Sequence, residues 1–380
     1  MKSILQKDLW SITSFLENKN YKFNKENILT QLPEKFIDEA IEAISSWDNY
    51  APTPLIKLNK LNEELKFKNI YYKDEDKRFE LKSFKALGGA FAVYKIASEK
   101  KNITVSTATA GNHGRSVAWG AQRLGLKCKI FISEFVSESR AEAMRNLDAE
   151  VIRVKGNYDN SLKECIEQSN KNNWEIVQDV SWEGYKEVPK LIMAGYTIMV
   201  KEIIDEINKN SITHVFLQAG VGGMAAAMIA GFAKLSENIP QFIIIEPENA
   251  DCVFQSIKNN KPTTVDIKKE TVMGGMSCGD VSSIAWEILK NSANYCLTIP
   301  DEAISTAVAL LAEKRLSNEK IIGGECAVPG VIALIGSFNN KEYLDKLKLN
   351  SESNVLLFGC EGLTDDAMYQ KLLNDGLQKI

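Results

Sequence analysis

Short apolar runs alternate with helical stretches along most of the chain, and this alternation restricts the fold more than any other feature. Strands are expected at 69–73, 103–108, 128–133, 150–154, 175–178, 214–218, 241–245 and 354–358. Helices are expected at 91–99, 115–124, 139–147, 158–170, 189–208, 223–235, 301–316 and 328–338. Pro189 falls in a first turn, where a missing N–H is harmless. Repeated β-α units with short apolar strands predict an α/β fold whose mostly parallel sheets are covered by helices on both faces. Ligands in such folds sit at the carboxyl ends of strands. The loops that follow strands are therefore where chemistry is expected.

The chain of 380 residues is long enough for one large or two modest domains with a substantial core. It carries no internal repeat, low-complexity tract or Pro/Gly/Ser-rich linker, so a single unit or two interleaved domains fits better than separate beads. A net charge of -4, with the basic residues spread out, gives no case for nucleic acid or an anionic membrane. No stretch approaches the length of a membrane span. Residues 1–18 interleave Lys2, Lys7, Asp8 and Glu17 with apolar side chains and lack the unbroken apolar core of a signal peptide, which makes the cytoplasm the expected location. The seven cysteines form no C-x-x-C pair, which argues against a zinc or iron–sulfur site and, in a reducing compartment, for free thiols. With two histidines in all, His113 and His214, a multi-histidine metal site is nearly excluded.

Three loops carry chemistry-bearing residues. Lys85 lies in Ser83-Phe84-Lys85-Ala86-Leu87-Gly88-Gly89-Ala90, between a charged stretch and a helix, where an amine can face a pocket. Ala110-Gly111-Asn112-His113-Gly114 follows one strand; Asn112 there is a donor to an oxyanion or, equally, a helix cap, and His113 can bond backbone in the turn. Ala219-Gly220-Val221-Gly222-Gly223-Met224 follows another strand and opens a helix, so its N–H groups can converge on a phosphate. Amine, polar turn and glycine cradle together suit a lysine-bound aldehyde cofactor that carries a phosphate. Two lookalikes compete. Gly220, Gly222 and Ala225 also satisfy G-x-G-x-x-A, with Glu246 at the end of the next strand where a dinucleotide fold places its ribose acid. Gly275-Met276-Ser277-Cys278-Gly279 matches a hydrolase elbow, but both histidines precede Ser277 and the order is wrong for that chemistry.

Taken together the chain resembles the fold-type-II pyridoxal-phosphate enzymes, and among them the diaminopropionate ammonia-lyase family. The resemblance runs through Pro52-Thr53-Pro54-Leu55, Tyr72-Lys73-Asp74-Glu75, Ser83 to Gly89, Gly111 to Arg115, Gln178-Asp179 with Trp182-Glu183-Gly184-Tyr185, Gly220 to Met224, Met273 to Gly279 and Glu361-Gly362. It implies two interleaved domains, a larger one from 1–90 plus 200–380 and a smaller one, 91–199, inserted between them. It implies pyridoxal 5'-phosphate, a homodimer, and α,β-elimination of an amino acid, 2,3-diaminopropionate first and serine, threonine or an O-activated serine as alternatives. A degenerate homologue that binds without turnover is the non-enzymatic alternative.

By the same resemblance Lys85 would carry the cofactor and move protons at Cα, and Asn112 would bond its phenolic oxygen. Gly220, Val221, Gly222, Gly223 and Met224 would hold its phosphate. Thr53 and Asp179 would face the substrate, with Asp179 a second candidate base, and Ala110 and His113 would lie at the substrate's place. Cys252 and Cys278 occupy positions that can pair as a disulfide in the family, against two reduced thiols as the plainer reading. Three departures stand out. Ala110 replaces the family's aspartate before Gly-Asn-His-Gly. Gly359 falls where the wider fold type has a Ser or Thr beside the pyridine nitrogen, which leaves that nitrogen Cys360 or a water as its partner, or none. Glu80 and Lys82 replace smaller, neutral residues.

Overall fold

The computed structural model describes residues 5, 8–207 and 212–380. The final residue of the helix expected at 189–208, and positions 1–4, 6 and 7 of the N-terminal stretch, lie outside the described residues. The strands are β1 (Ser14–Glu17), β2 (Leu55–Lys57), β3 (Asn69–Asp74), β4 (Thr104–Ala108), β5 (Lys127–Ser133), β6 (Glu150–Val154), β7 (Glu175–Ile176), β8 (His214–Gln218), β9 (Gln241–Pro247), β10 (Tyr295–Ile299) and β11 (Asn354–Gly359). The helices that matter for the site are α1 (Glu34–Ser45), α2 (Lys85–Glu99), α3 (Asn112–Arg123), α4 (Glu187–Tyr196), α5 (Ile198–Glu206) and α6 (Gly223–Leu235).

The chain divides into two units. The first joins Met1–Gln31, Pro52–Lys77 and Met199–Ile380; the second joins Leu32–Ala51 and Arg78–Ile198. The second unit thus takes in 32–51 and 78–90, which the sequence reading places in the larger part. Packing explains this: α1 turns Ile37, Ala40 and Ile44 inward and lies against α4, while α2, which opens at Lys85, packs on α3 and α4.

The first unit's sheet has the order β1-β10-β9-β8-β11-β3-β2. Its five inner strands are parallel, and β1 and β2 close the edges antiparallel. The second unit's sheet, β6-β5-β4-β7, is parallel throughout. In each sheet the strand order reverses once. From β8 the chain builds outward through β9 and β10, then returns to the other side of β8 as β11. From β4 it builds through β5 and β6, then returns beside β4 as β7. Such reversals leave a crevice at the carboxyl ends of the two strands that flank them. Here the crevices are flanked by the loops after β8 and β11, and by those after β4 and β7.

The helix expected at 189–208 is two helices. Thr197 separates α4 from α5, and its hydroxyl donates to the Ala194 carbonyl at 2.6 Å, a local bond that competes with the helical ladder. Strands β1, β2 and β10 add to the sequence expectation, and β7 is shorter than 175–178. Among the described residues no helix is long and apolar enough to cross a membrane.

Glycines in the first turns of α2 set how closely its neighbours approach. A Cβ on Gly88 would stand 2.5 Å from the Ile192 carbonyl oxygen, and one on Gly195 would stand 2.8 Å from the Gly88 Cα. On the other side a Cβ on Gly120 would stand 2.7 Å from the Ala90 Cα. So α3 and α4 grip α2 at backbone distance, within two turns of Lys85. Gly195→Ala should therefore lower stability by about 1–3 kcal/mol through overpacking, despite the roughly 1 kcal/mol that alanine gains over glycine in helix propensity. The denaturation midpoint checks this, and an unchanged midpoint would show that α2 and α4 can part without cost.

Candidate active site

The second unit brings Lys85, His113 and Asp179 together. Lys85 is the first residue of α2, and its backbone N–H is received by the Ser83 hydroxyl at 3.3 Å. Its Nζ lies 2.5 Å from Asp179 Oδ2, and 5.4 and 5.8 Å from the ring centroids of Phe84 and Tyr196. The amine is thus aimed along apolar rings at one carboxylate, on the loop that follows β7. Burial alone would push the Asp179 carboxyl up; the His113 ring, charged in the acid range where Asp179 would take up a proton, and the Lys85 ammonium, which also donates to it, hold it well below the usual carboxylate range.

His113 is buried in the first turn of α3, with Nε2 2.8 Å from the Val177 carbonyl oxygen. A carbonyl only accepts, so Nε2 carries the hydrogen. The bare Nδ1 is buried without a hydrogen-bond partner and faces Asp179 Oδ2 at 3.9 Å. Burial outweighs the attraction of Asp179 and keeps the ring below its usual pKa, hence neutral near pH 7. Ala110 lies on the loop after β4, which leads into Asn112, beside the loop that carries Asp179. Asn112 is the first helical residue and not the cap, because Gly111 holds the N-cap position.

In the first unit the loop after β8 forms the cradle. Gly222 has φ +87 and caps α6, a backbone shape that a side chain resists. A Cβ on Gly223 would meet nothing within 4 Å, whereas one on Gly220 would press on Cys278 Sγ at 3.0 Å and the Gly275 carbonyl oxygen at 3.1 Å. The opening N–H groups of a helix have no intrahelical partner, and the helix dipole favours an anion there. The loop therefore fits a phosphate. Cys252 and Cys278 are not joined in a disulfide, and both lie against this loop, Cys252 Sγ 3.5 Å from the Gly220 carbonyl oxygen.

Across the reversal from the cradle, β11 ends at Gly359. A Cβ there would stand 2.3 Å from the Tyr72 ring and hydroxyl, so the buried Tyr72 fills the place of a side chain at 359. The Tyr72 hydroxyl donates to the Ala327 carbonyl at 3.1 Å. Next to it the Cys360 thiol donates to the Cys326 carbonyl at 3.1 Å. Glu325, Cys326 and Glu361 bring possible metal-ligating atoms within 4.8 Å of one another. However, Glu361 accepts the Cys326 N–H at 3.0 Å, and burial pushes the Cys326 thiol well up, which ties the group into the turn.

Thr53, expected to face substrate, is 2% exposed, and its hydroxyl donates to Glu75 at 2.6 Å. Its carbonyl accepts from Lys73 Nζ at 2.6 Å, and Lys73 pairs with Glu202 of α5 at 2.6 Å, with neither side chain above 1% exposed. Glu246 does not await a ribose: both its oxygens accept backbone N–H groups, of Val253 at 2.8 Å and Phe254 at 2.7 Å, inside the fold. Ser277 donates to Glu270, and no histidine is joined to it by any described bond.

A model of the family described as pyridoxal-phosphate dependent enzyme matches residues 47–360. The chain belongs to that family. It is 34% identical over 351 residues to the diaminopropionate ammonia-lyase of Escherichia coli strain K12, covering 86% of this chain and 88% of the relative. It is 34% identical over 360 residues to the diaminopropionate ammonia-lyase of Salmonella typhimurium strain LT2, covering 86% and 89%. A crystal structure of the Escherichia coli enzyme in complex with an aminoacrylate-PLP azomethine reaction intermediate matches with TM-score 0.88 and 32% identity, over 96% of this chain and 98% of that one. As a pyridoxal-phosphate dependent enzyme of fold type II, the chain takes pyridoxal 5'-phosphate as its cofactor.

Sequence reasoning missed Tyr72 as the neighbour of Gly359 and Tyr196 as the neighbour of Lys85, because nothing in their local pattern separates them from core aromatics. The exchange at 359 gives a test. Gly359→Ser alone should cost about 1–3 kcal/mol by overpacking against Tyr72, while Tyr72→Val in the same chain should relieve most of that. A double-mutant cycle by denaturant unfolding measures the coupling, and additive effects would mean the two residues do not share one space.

Proposed function

We propose that this pyridoxal-phosphate dependent enzyme is an ammonia-lyase that eliminates ammonia from 2,3-diaminopropionate, with the L-isomer preferred, and yields pyruvate and ammonia. The observation that carries the reading is the Lys85 amine held 2.5 Å from Asp179 at the strand reversal of the second unit's sheet. The likeness over most of the chain to proteins named diaminopropionate ammonia-lyase supports it.

In this reading Lys85 bears the cofactor, Asn112 bonds its phenolic oxygen, and the N–H groups of Gly220, Val221, Gly222, Gly223 and Met224 hold its phosphate. Cys360, whose thiol donates to the Cys326 carbonyl, would be the residue offered to the pyridine nitrogen. The bound group supplies an electron sink for the carbanion left at Cα. Lys85 Nζ takes the Cα proton on its own face and returns a proton to the β-nitrogen as that leaves, so proton uptake and release balance at one atom. Asp179, held ionised, keeps that amine aimed. The enamine left by elimination takes up water and gives pyruvate and a second ammonia. His113 is placed behind Asp179, and Thr53 supports the site through its bonds to Glu75 and Lys73. A cytoplasmic homodimer completes the proposal.

Borohydride reduction of the holoenzyme followed by peptide mapping should label Lys85; a label on another lysine would remove the assignment. Incubation with both isomers of diaminopropionate, and with serine and threonine, should release pyruvate chiefly from L-diaminopropionate. Alanine at 110 cannot accept a proton, and loss of a general base typically costs about 10²–10⁴ in rate. Ala110→Asp should accordingly raise kcat/KM for the D-isomer by about that range. Comparable activity on both isomers before the substitution would refute the stereochemical claim.

A further inference from the structure

The segment before Asp179 is held by a side chain that the proposed reaction does not use. The Tyr185 hydroxyl donates to the Ile176 carbonyl at 2.9 Å and accepts the Gln178 N–H at 2.8 Å. It thus bridges the backbone on both sides of Val177, whose own carbonyl is taken by His113 Nε2 at 2.8 Å. Strand β7 stops at Ile176, so beyond Val177 no ladder holds the chain as it runs to Asp179. The Gln178 side chain adds a further tie: its Oε1 accepts from the Thr107 hydroxyl at 2.8 Å and from the Ala108 N–H at 3.1 Å.

What aims Tyr185 is a four-residue turn. Trp182 and Tyr185 exchange backbone bonds, Tyr185 N–H to the Trp182 carbonyl at 3.0 Å and Trp182 N–H to the Tyr185 carbonyl at 3.3 Å. Gly184 closes the turn at φ +82. The Trp182 and Tyr185 rings stack with centroids 4.2 Å apart and planes 17° from parallel. The stack holds the phenol ring, and its hydroxyl lies between Ile176 and Gln178.

From this geometry we infer that Tyr185, aimed by its turn with Trp182, is a positioning residue that sets the distance between the Asp179 carboxylate and the Lys85 amine. The inference rests on the role given to Asp179 in the proposed reaction. Phenylalanine at 185 keeps the stack and removes both hydroxyl bonds, so residues 176–179 lose their brace while the ring stays in place. The groups that face Asp179 are Lys85 on α2, His113 on α3, Tyr196 on α4 and Tyr185 itself. Of these, Lys85 makes the charge-assisted bond, and its geometry degrades when the loop slackens.

The test uses the holoenzyme of Tyr185→Phe. Hydrogen exchange at the Gln178 amide should accelerate about tenfold or more, as expected for the loss of a buried bond. The kcat should fall about tenfold with KM within twofold, because the carboxylate that aims the Lys85 amine is no longer held in place while substrate binding is untouched. Gly184→Val keeps the hydroxyl but strains the turn, and should shift both readouts in the same direction. Unchanged exchange at Gln178, or a kcat that stays at the parent value or falls only together with a rise in KM, would overturn the inference. Asp179→Asn separates the two claims: parent-like kcat in that variant would remove the catalytic role of Asp179, while the exchange data alone would still decide whether Tyr185 braces the loop.

Discussion

The contact on which the second unit depends is the backbone-to-backbone approach of α2 to α3 and α4. Gly88, Gly195 and Gly120 let three helices come closer than any side chain permits. Lys85 begins α2, so its Cα is fixed by packing on two sides before its side chain is considered. The flexible lysine stem then has its amine end caught by Asp179, which lies on a loop held by His113 and Gln178. A long, mobile side chain is thereby confined at both ends.

The first unit solves a different problem, the placement of an anion. Its sheet reverses direction between β8 and β11, and the crevice so formed carries a glycine loop with Gly222 in the left-handed region. Cys278 Sγ, the Gly275 carbonyl oxygen and the Met276 Cα crowd that loop from within the unit, which explains why Gly220 leaves no room for a side chain even though its φ does not demand glycine.

Much of this was legible in the chain itself. Strands such as His214–Gln218 and Glu150–Val154, and helix Gly223–Leu235, carry strong local patterns bounded by glycine or charge, and the structure keeps them where the pattern puts them. The strand Tyr295–Ile299 escaped because its run is short and opens with tyrosine and cysteine after a polar stretch, and its place is set by pairing with β9. The break at Thr197 escaped because a threonine inside an apolar helical pattern signals nothing until its hydroxyl is seen to bond Ala194. At the site, the lysine, the glycine loop and the Asn112 turn were visible as motifs. Their partners were not. Asp179 was reached only through the resemblance, as a candidate base; its pairing with Lys85, and Tyr72 standing where a residue at 359 extends, join positions far apart in sequence, and no periodicity reports such encounters.

The set formed by Thr53, Lys73, Glu75 and Glu202 has a meaning beyond its geometry. Removing one member of a buried charge pair leaves the other stranded, at about 3–5 kcal/mol, whereas replacing the pair with matched apolar residues can be nearly neutral. Lys73 and Glu202 are therefore separated from an uncharged alternative by intermediates that fold poorly, although that alternative need not fold poorly itself. Lineages descended from this chain are expected to keep both residues or lose both, and a genome caught with only one would mark a recent and unstable step.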